Sequence, residues 1–283
     1  MRRALAAACL AVGFVAMAGR AQELAVPNRP GSLKFAAIGD NGTGEQPEYD
    51  IANQMEVWHR RFAFDMVITL GDNIYGSQRP ADFVLKFERP YKPLLDAGVK
   101  FYASLGNHDR TSFDTYKPFN MGGERYYSYA RNNVRFFVLD SNFLDPKQLA
   151  WFETSLEDAR ESWKIAYFHH PLYSDGGRHG SEVDLRVRLE PIFLKYGVNV
   201  VYSGHDHIYE RLKPQKGISY FVCGAGGELR QGDLKRSAMT AAGFDQDRSF
   251  MLNEIAGDGL FFQVVSRTGQ TVDQGVIRRE DKP

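Results

Sequence analysis

Five short apolar segments of this chain each end in a polar turn, and this recurring pattern limits the folds that the chain can adopt. The segments are typical of buried strands and cover residues 33–38, 66–70, 101–105, 165–168 and 198–202. Helical spacing of apolar residues lies between them, over residues 47–62, 82–95, 146–160 and 182–196. Asp145 followed by Pro146 is typical of a helix N-cap and first helical position. Alternating strands and helices predict an α/β fold.

The remaining segments are richer in β-strand signals. Residues 125–129 and 134–139 flank an Arg-Asn-Asn turn and predict a hairpin. After residue 208 the chain alternates short β runs with Gly-rich turns, and the Gly-rich stretch 224–227 is best interpreted as a tight turn. That stretch lacks the lysine and the strand–loop–helix setting of a phosphate-binding P-loop.

The polar turns carry the residues on which a functional hypothesis depends. Asp40, Asp72, Asn107, His169 and the pair His205 and His207 each follow a predicted strand. Taken singly, each has an ordinary reading as a turn, a cap or an interior histidine. Because ligands gather at the carboxyl ends of strands in α/β sheets, these turns are expected to meet at one rim.

The combined donor set indicates a metal centre. Alternate residues of an extended segment point to the same side, so His205 and His207 can present two imidazoles together. Carboxylate, amide and phenol oxygens accompany the imidazoles without any thiolate, which favours iron, manganese or zinc in a non-structural site. With Tyr75, which supplies the phenol, the candidate ligands number seven, too many for one ion with an open position. They fit two ions that share a carboxylate, an arrangement suited to phosphoryl transfer.

Five motifs in order then resemble the metallophosphoesterase superfamily. They are GDNG at 39–42, GDNIY at 71–75, GNHD at 106–109, AYFHHP at 166–171 and GHDH at 204–207. Tyr75, three residues after Asp72, is similar to the purple acid phosphatases, and the chain length resembles the small, tartrate-resistant type. The resemblance covers roughly residues 39–207.

The resemblance implies a fold, a reaction and metal ligands. The implied fold is an α/β metallophosphoesterase sandwich of two mixed sheets flanked by helices, with the second sheet coming largely from the chain after residue 208. The implied reaction is hydrolysis of phosphomonoesters by a metal-held hydroxide. A ferric ion would be held by Asp40, Asp72, Tyr75 and His207, and a divalent iron, zinc or manganese ion by Asp72, Asn107, His169 and His205.

Four further residues are expected to assist. His108 is predicted to contact the phosphate or protonate the leaving group, with Asp109 orienting its imidazole. His179 resembles the second catalytic histidine of the small enzymes. It is one residue further from His169 than in that pattern, and Arg178 replaces the usual glutamate. His170 is predicted to line the site and contact the substrate.

Other functions remain open at this point. A phosphodiesterase or nucleotidase would use the same two metals, although Tyr75 disfavours it. A secreted protein that binds metal or phosphate without turnover, and redox chemistry at the iron, are further possibilities.

The first residues predict export. Met1–Arg3 is basic, Ala4–Ala18 is apolar and small residues follow, which is the signal-peptide pattern. We therefore expect a signal peptide over 1–21, a single catalytic domain over 22–283 and a bacterial periplasmic or secreted location. After cleavage we expect no membrane anchor, and the formal net charge of +0 gives no sign of a nucleic-acid surface. Small phosphorylated molecules are the expected partners.

Overall fold

Two mixed β-sheets pack face to face in the computed structural model, which describes residues 23–279. In chain order the strands are β1 (Leu33–Ile38), β2 (Met66–Leu70), β3 (Lys100–Ser104), β4 (Tyr127–Arg131), β5 (Val134–Val138), β6 (Trp163–Tyr167), β7 (Val200–Ser203), β8 (Tyr209–Leu212), β9 (Ser219–Cys223), β10 (Thr240–Phe244), β11 (Ser249–Ala256), β12 (Gly259–Ser266) and β13 (Thr271–Arg278). The α-helices are α1 (Gln46–His59), α2 (Pro80–Phe83), α3 (Lys92–Asp96), α4 (Pro146–Asp158) and α5 (Val183–Tyr196). The predicted signal peptide lies outside the described residues, and the domain boundaries stay a prediction.

The first sheet has the strand order β13-β12-β11-β1-β2-β3, and the second has β10-β8-β9-β7-β6-β5-β4. β1, β2 and β3 run parallel, while β11 pairs antiparallel with β1. In the second sheet β5, β6, β7 and β9 run parallel, and the edges are antiparallel. The predicted α/β sandwich of two mixed sheets is confirmed.

The expected source of the second sheet was wrong. Strands after residue 208 are shared: β8, β9 and β10 extend the second sheet, whereas β11, β12 and β13 complete the first. β11 is buried along nearly its whole length, so it is suited to the interior position beside β1 rather than to an exposed edge.

Alternation of side chains divides the core into three layers. Leu33 and Phe35 of β1 point into the cluster between the sheets, whereas Ala36 and Ile38 point into the cluster beneath α1 and α3. A third cluster fills the space between the second sheet and the helices α4 and α5. Both faces of the central strands are covered, which explains their continuous apolar runs.

The predicted helix over 82–95 is interrupted. α2 runs into a π-helical turn, Val84–Glu88, in which the Arg89 N–H donates to the Val84 carbonyl, and α3 begins only at Lys92. Pro90 has no N–H to continue the helical ladder, which accounts for the break.

The predicted cap at Asp145 and the predicted end of a helix at residue 196 are both confirmed. The Asp145 side chain accepts a hydrogen bond of 2.7 Å from the Gln148 N–H, and Gly197 ends α5 in the left-handed conformation. Within residues 23–279 every helix is too short or too polar to span a bilayer.

Candidate metal centre

The seven predicted ligands meet between the two sheets, at the carboxyl ends of their parallel strands. The turns after β1, β2 and β3 supply the first sheet's contribution, and those after β6 and β7 supply the second sheet's. The ligand residues are Asp40, Asp72, Tyr75, Asn107, His169, His205 and His207. Two clusters of donor atoms result.

The first cluster centres on Tyr75. Its hydroxyl oxygen lies 3.1 Å from Asp40 Oδ1 and 3.2 Å from His207 Nε2. His207 Nε2 is itself 3.4 Å from Asp40 Oδ1, and Asp72 offers an oxygen to the same group. Two anionic carboxylates beside a phenol and an imidazole form a donor set suited to a hard, highly charged cation.

The second cluster centres on His169. Its Nε2 atom lies 2.9 Å from Asn107 Oδ1, 3.1 Å from His205 Nδ1 and 3.5 Å from Asp72 Oδ2. Asp72 thus faces both clusters and is placed to bridge them. Nitrogen and oxygen donors in this proportion suit a divalent transition metal.

A cation fits this second cluster because of the His169 tautomer. His169 Nδ1 lies 2.9 Å from the Leu70 carbonyl oxygen, which can only accept a hydrogen bond. The ring proton therefore resides on Nδ1, and Nε2 turns a lone pair toward the Asn107 side-chain oxygen. Two acceptors at 2.9 Å repel one another unless a positive charge lies near both. Binding of the outer ring N–H to a carbonyl is the usual support of a metal-ligating histidine.

Burial favours the neutral forms of Asp40, Tyr75, His205 and His207. Burial raises the pKa of Asp40 well above its usual range, and it lowers the pKa of His205 and brings that of His207 down to about 4. Burial and the nearby charges of Asp40 and Asp72 raise the pKa of the Tyr75 phenol. The imidazoles are therefore ready to ligate, whereas Tyr75 can lose its proton only beside a strong positive charge.

The backbone of the site is unusual at three ligands. Asp40, Asp72 and His205 have φ angles of 55°, 52° and 70°, in the left-handed region that side chains rarely adopt. Hydrogen bonds hold this geometry: the Asp40 N–H donates to the Gly71 carbonyl over 3.0 Å. Such conformations persist where the surrounding structure enforces them, which is common at functional sites.

Two glycines permit the loops to approach closely. A Cβ atom at Gly106 would lie 2.1 Å from Asp72 Oδ1, and one at Gly204 would lie 2.4 Å from Asp40 Oδ2. Any side chain at either position would therefore collide with a metal-ligand candidate.

His108 is exposed and its ring lies beside Tyr75, with 4.8 Å between ring centroids. Its backbone N–H donates to Asp72 Oδ1 over 2.8 Å, so a ligand candidate fixes the position of the chain here. The imidazole is thus next to the first cluster without belonging to it.

The orienting role of Asp109 toward His108 stays a prediction, and the carboxylate has other partners in the structure. The hydrogen bonds recorded for the Asp109 carboxylate come from the backbone N–H groups of Asn73, Ile74 and Gly106 and from the Asn73 side chain. Both carboxylate oxygens accept hydrogen bonds from these backbone N–H groups because the side chain points beneath its own loop. Burial and the charge of Asp72 raise the pKa of Asp109 to about 7. Asp109 therefore joins the turns after β2 and β3 and acts on ligand placement.

His179 reaches the centre despite its altered spacing. Its exposed ring lies over His205, with 4.1 Å between ring centroids. The neighbouring Arg178 is exposed as well. The extra residue is accommodated in the loop between β6 and α5.

His170 lies behind the second cluster. Its ring centroid is 4.5 Å from that of His205, and it can offer a nitrogen within 4.8 Å of donors on His169 and His205. Ser141 Oγ is 2.8 Å from His170 Nδ1, and burial lowers the pKa of this imidazole to about 3. His170 is therefore a neutral ring at the edge of the second cluster.

Sequence reasoning missed two residues of this region. Ser141 follows β5 at the same rim and contacts His170, and its place after a strand was an available signal. Arg230 donates its backbone N–H to the His207 carbonyl over 3.0 Å, and nothing in the sequence around it marked it.

Known proteins share both the sequence pattern and the fold. The profile of the calcineurin-like phosphoesterase family matches residues 33–209. Tartrate-resistant acid phosphatase type 5 of Oryctolagus cuniculus is 28% identical over 238 residues, which are 69% of this chain and 73% of that protein. Purple acid phosphatase 17 of Arabidopsis thaliana is 25% identical over 274 residues, covering 80% of this chain and 78% of that protein.

Solved structures share the fold at lower identity. The purple acid phosphatase PPD1 of yellow lupin superposes with a TM-score of 0.74 at 19% identity, covering 90% of this chain and 55% of that one. GAP50, described as the anchor in the inner membrane complex of Plasmodium, also gives 0.74, at 18% identity, and covers 89% and 90% of the two chains.

Proposed function

The chain belongs to the calcineurin-like phosphoesterase family, and on that premise we propose that it is a two-metal acid phosphatase that hydrolyses phosphomonoesters. The observation that carries this proposal is the position of Tyr75, whose hydroxyl lies within 3.2 Å of both Asp40 and His207. A phenol in that position would add an anionic oxygen donor to one ion, and Tyr75 is the residue by which the sequence resembles the purple acid phosphatases. A general phosphodiesterase has no need of it.

The two clusters would hold two different ions. Asp40, Asp72, Tyr75 and His207 would hold a ferric ion, and Asp72, Asn107, His169 and His205 would hold divalent iron, zinc or manganese. When bound, the pair of ions supplies Lewis acidity toward the phosphate and an activated water. The chain itself would hold the seven ligand residues in two groups that share the Asp72 carboxylate.

Three histidines are placed to handle the substrate. His108 is exposed beside Tyr75, so it can donate a hydrogen bond to a phosphate oxygen or a proton to the departing alcohol. His179, whose ring lies over that of His205, can do the same. His170 is held by Ser141 and remains neutral, which suits a hydrogen bond to phosphate rather than an ionic one.

Export and substrate size complete the proposal. An N-terminal signal would deliver the enzyme to a bacterial periplasm or the medium, and its partners would be small phosphorylated molecules. A centre that opens beside two exposed histidines is accessible to such substrates.

The test is the relative hydrolysis of matched esters by the metal-loaded enzyme. We expect 4-nitrophenyl phosphate to be cleaved with a kcat/KM at least about tenfold above that of bis(4-nitrophenyl) phosphate. The reverse order would indicate a phosphodiesterase. Tight metal binding without cleavage of either ester would indicate a binding protein.

A further inference from the structure

Two loops meet at one side of the metal centre. The His179 loop comprises residues 174–181, and the Arg230 loop comprises residues 224–236. The Gly177 N–H donates to the Asp233 carbonyl over 2.8 Å, and the Arg178 N–H lies 3.3 Å from Asp233 Oδ2. The loops therefore fix one another and bring their side chains to the same rim.

The Arg230 side chain lacks partners at this rim. Its backbone is anchored to the His207 carbonyl over 3.0 Å, which places the residue beside a metal-ligand candidate. Within residues 23–279, its Nη1 atom is buried without a hydrogen-bond partner, and no ion pair is recorded for the guanidinium. A buried donor of a charged group is costly to leave unpaired, so this geometry calls for an anion from outside the chain.

The two loops bring two arginines beside the ligand clusters. Arg230 is anchored through its N–H to the His207 carbonyl. Arg178 is exposed and adjoins His179, whose ring centroid lies 4.1 Å from that of His205.

Among the described residues, 23–279, no carboxylate forms a recorded ion pair with Arg230. Asp206 is buried and accepts a hydrogen bond of 2.5 Å from Ser174 Oγ. Asp233 accepts hydrogen bonds from the backbone of the His179 loop.

We propose that Arg230, with Arg178 beside it, binds a second anionic group of the substrate. The inference rests on the proposed phosphatase function and adds a specificity to it. The scissile phosphate would lie at the metal clusters, and a phosphate or carboxylate next to it would reach the rim between the two loops. Arginine suits this task because its planar fork donates two parallel hydrogen bonds to phosphate or carboxylate.

The test compares substrates with and without a second anion. The substrates are 4-nitrophenyl phosphate, inorganic pyrophosphate and phosphoenolpyruvate, and the variant is Arg230→Gln. We expect the ratio of kcat/KM for a two-anion substrate to that for 4-nitrophenyl phosphate to fall roughly tenfold, mainly through KM. A fall limited to pyrophosphate identifies a second phosphate, and one limited to phosphoenolpyruvate identifies a carboxylate. A change below twofold for both overturns the proposal.

Control variants separate this effect from charge and folding. Arg60→Gln removes the same charge from an exposed position just after α1 and should leave the ratio unchanged; an equal fall there would contradict the proposal. Arg230→Lys keeps the charge without the fork and should lower the ratio roughly threefold. If Arg230→Gln does not fold, Arg230→Lys and Arg178→Gln test the proposal instead. A ratio of kcat/KM values equal to that of the wild type in both variants would overturn the proposed anion site.

Failure of the proposed phosphatase activity can be distinguished from failure of the proposed anion site. If the wild type cleaves none of the three substrates, the proposed function fails and the subsite is tested by equilibrium binding. Arg230→Gln should then weaken binding of pyrophosphate relative to orthophosphate roughly tenfold in the metal-loaded protein. Equal weakening of both ligands would contradict a second-anion site.

Discussion

The backbone N–H of His205 donates a hydrogen bond of 2.9 Å to Oδ2 of Asp40. This contact joins the turn after β7 in the second sheet to the turn after β1 in the first. It leaves Asp40 Oδ1 for Tyr75 and His207. Asp72 divides its oxygens in the same way, since Oδ1 accepts the His108 N–H and Oδ2 faces His169. Each aspartate thus uses one oxygen to fix the fold and offers the other as a ligand.

The shared position of Asp72 predicts that its charge is needed for both ions. Asp72→Asn keeps an oxygen acceptor for the His108 N–H but removes the anion that faces both clusters. We expect fewer than two ions per chain by metal analysis and a kcat/KM at least about a hundredfold lower. Asp96→Asn, at an exposed position paired with Lys92, is the matched control. Two retained ions in Asp72→Asn would contradict the bridging position.

Gly106 is predicted to be irreplaceable for steric reasons. In Gly106→Ala the new Cβ would lie 2.1 Å from Asp72 Oδ1, and relief requires movement of backbone or of a ligand. We expect a loss of about 2–4 kcal/mol in the free energy of unfolding by urea. Gly98→Ala meets no atom within 4 Å of the added Cβ and has only the backbone cost of its φ of +83°, which Gly106 does not share, so it should lose about 1 kcal/mol. Equal losses in both would argue against the close approach.

Asp109 should behave as a structural link. Asp109→Ala leaves the N–H groups of Asn73, Ile74 and Gly106 without their acceptor and should cost about 2–4 kcal/mol in the metal-free protein. Asp109→Asn retains one acceptor oxygen and should cost less. Urea unfolding measures both. Wild-type stability of Asp109→Ala, together with a shifted pH–rate profile, would instead favour the role in orienting His108.

Glu210 predicts a pH dependence of stability away from the metal ligands. Burial, with the charges of Asp175 and Asp206, raises the pKa of Glu210 to about 7. Its Oε1 lies 2.7 Å from Thr240 Oγ1, which is also 2.6 Å from Asp175 Oδ2. One hydroxyl proton cannot serve both carboxylates, so a proton on Glu210 completes the network.

The direction in which the free energy of unfolding changes with pH depends on which state binds the Glu210 proton more tightly. Between pH about 4.5 and about 7 the folded protein holds the Glu210 proton more tightly than the unfolded chain, so this residue lowers the free energy of unfolding as pH rises. Relative to Glu210→Gln, the wild type should lose about 2–3 kcal/mol from pH 4.5 to pH 7.5. Urea unfolding of the metal-free proteins at both pH values measures this. A difference that does not change with pH would contradict the raised pKa.

The central part of the fold and the site could be predicted from sequence because two simple regularities apply there. Buried parallel strands give continuous apolar runs, and functional side chains follow them directly, as Asp40 follows β1 and His169 follows β6. All seven ligand candidates lie in such turns, so strand prediction alone brought them to one rim.

The features that were missed depend on distant parts of the chain. β11 joins β1 across more than two hundred residues, and no local pattern tells which sheet a late strand will enter. Asp109 points under its own loop because Asn73 and Ile74 present backbone donors there. Arg230 becomes important only when its loop packs beside His207. Each depends on tertiary contacts that the sequence does not display.

The most direct test of the two-metal phosphatase account is the visible absorption spectrum of the purified mature protein, with metal analysis of the same sample, beside Tyr75→Phe. The account predicts a broad visible band from a tyrosinate bound to ferric iron, lost in Tyr75→Phe while iron remains bound. A colourless wild-type protein that carries only zinc or manganese would contradict it.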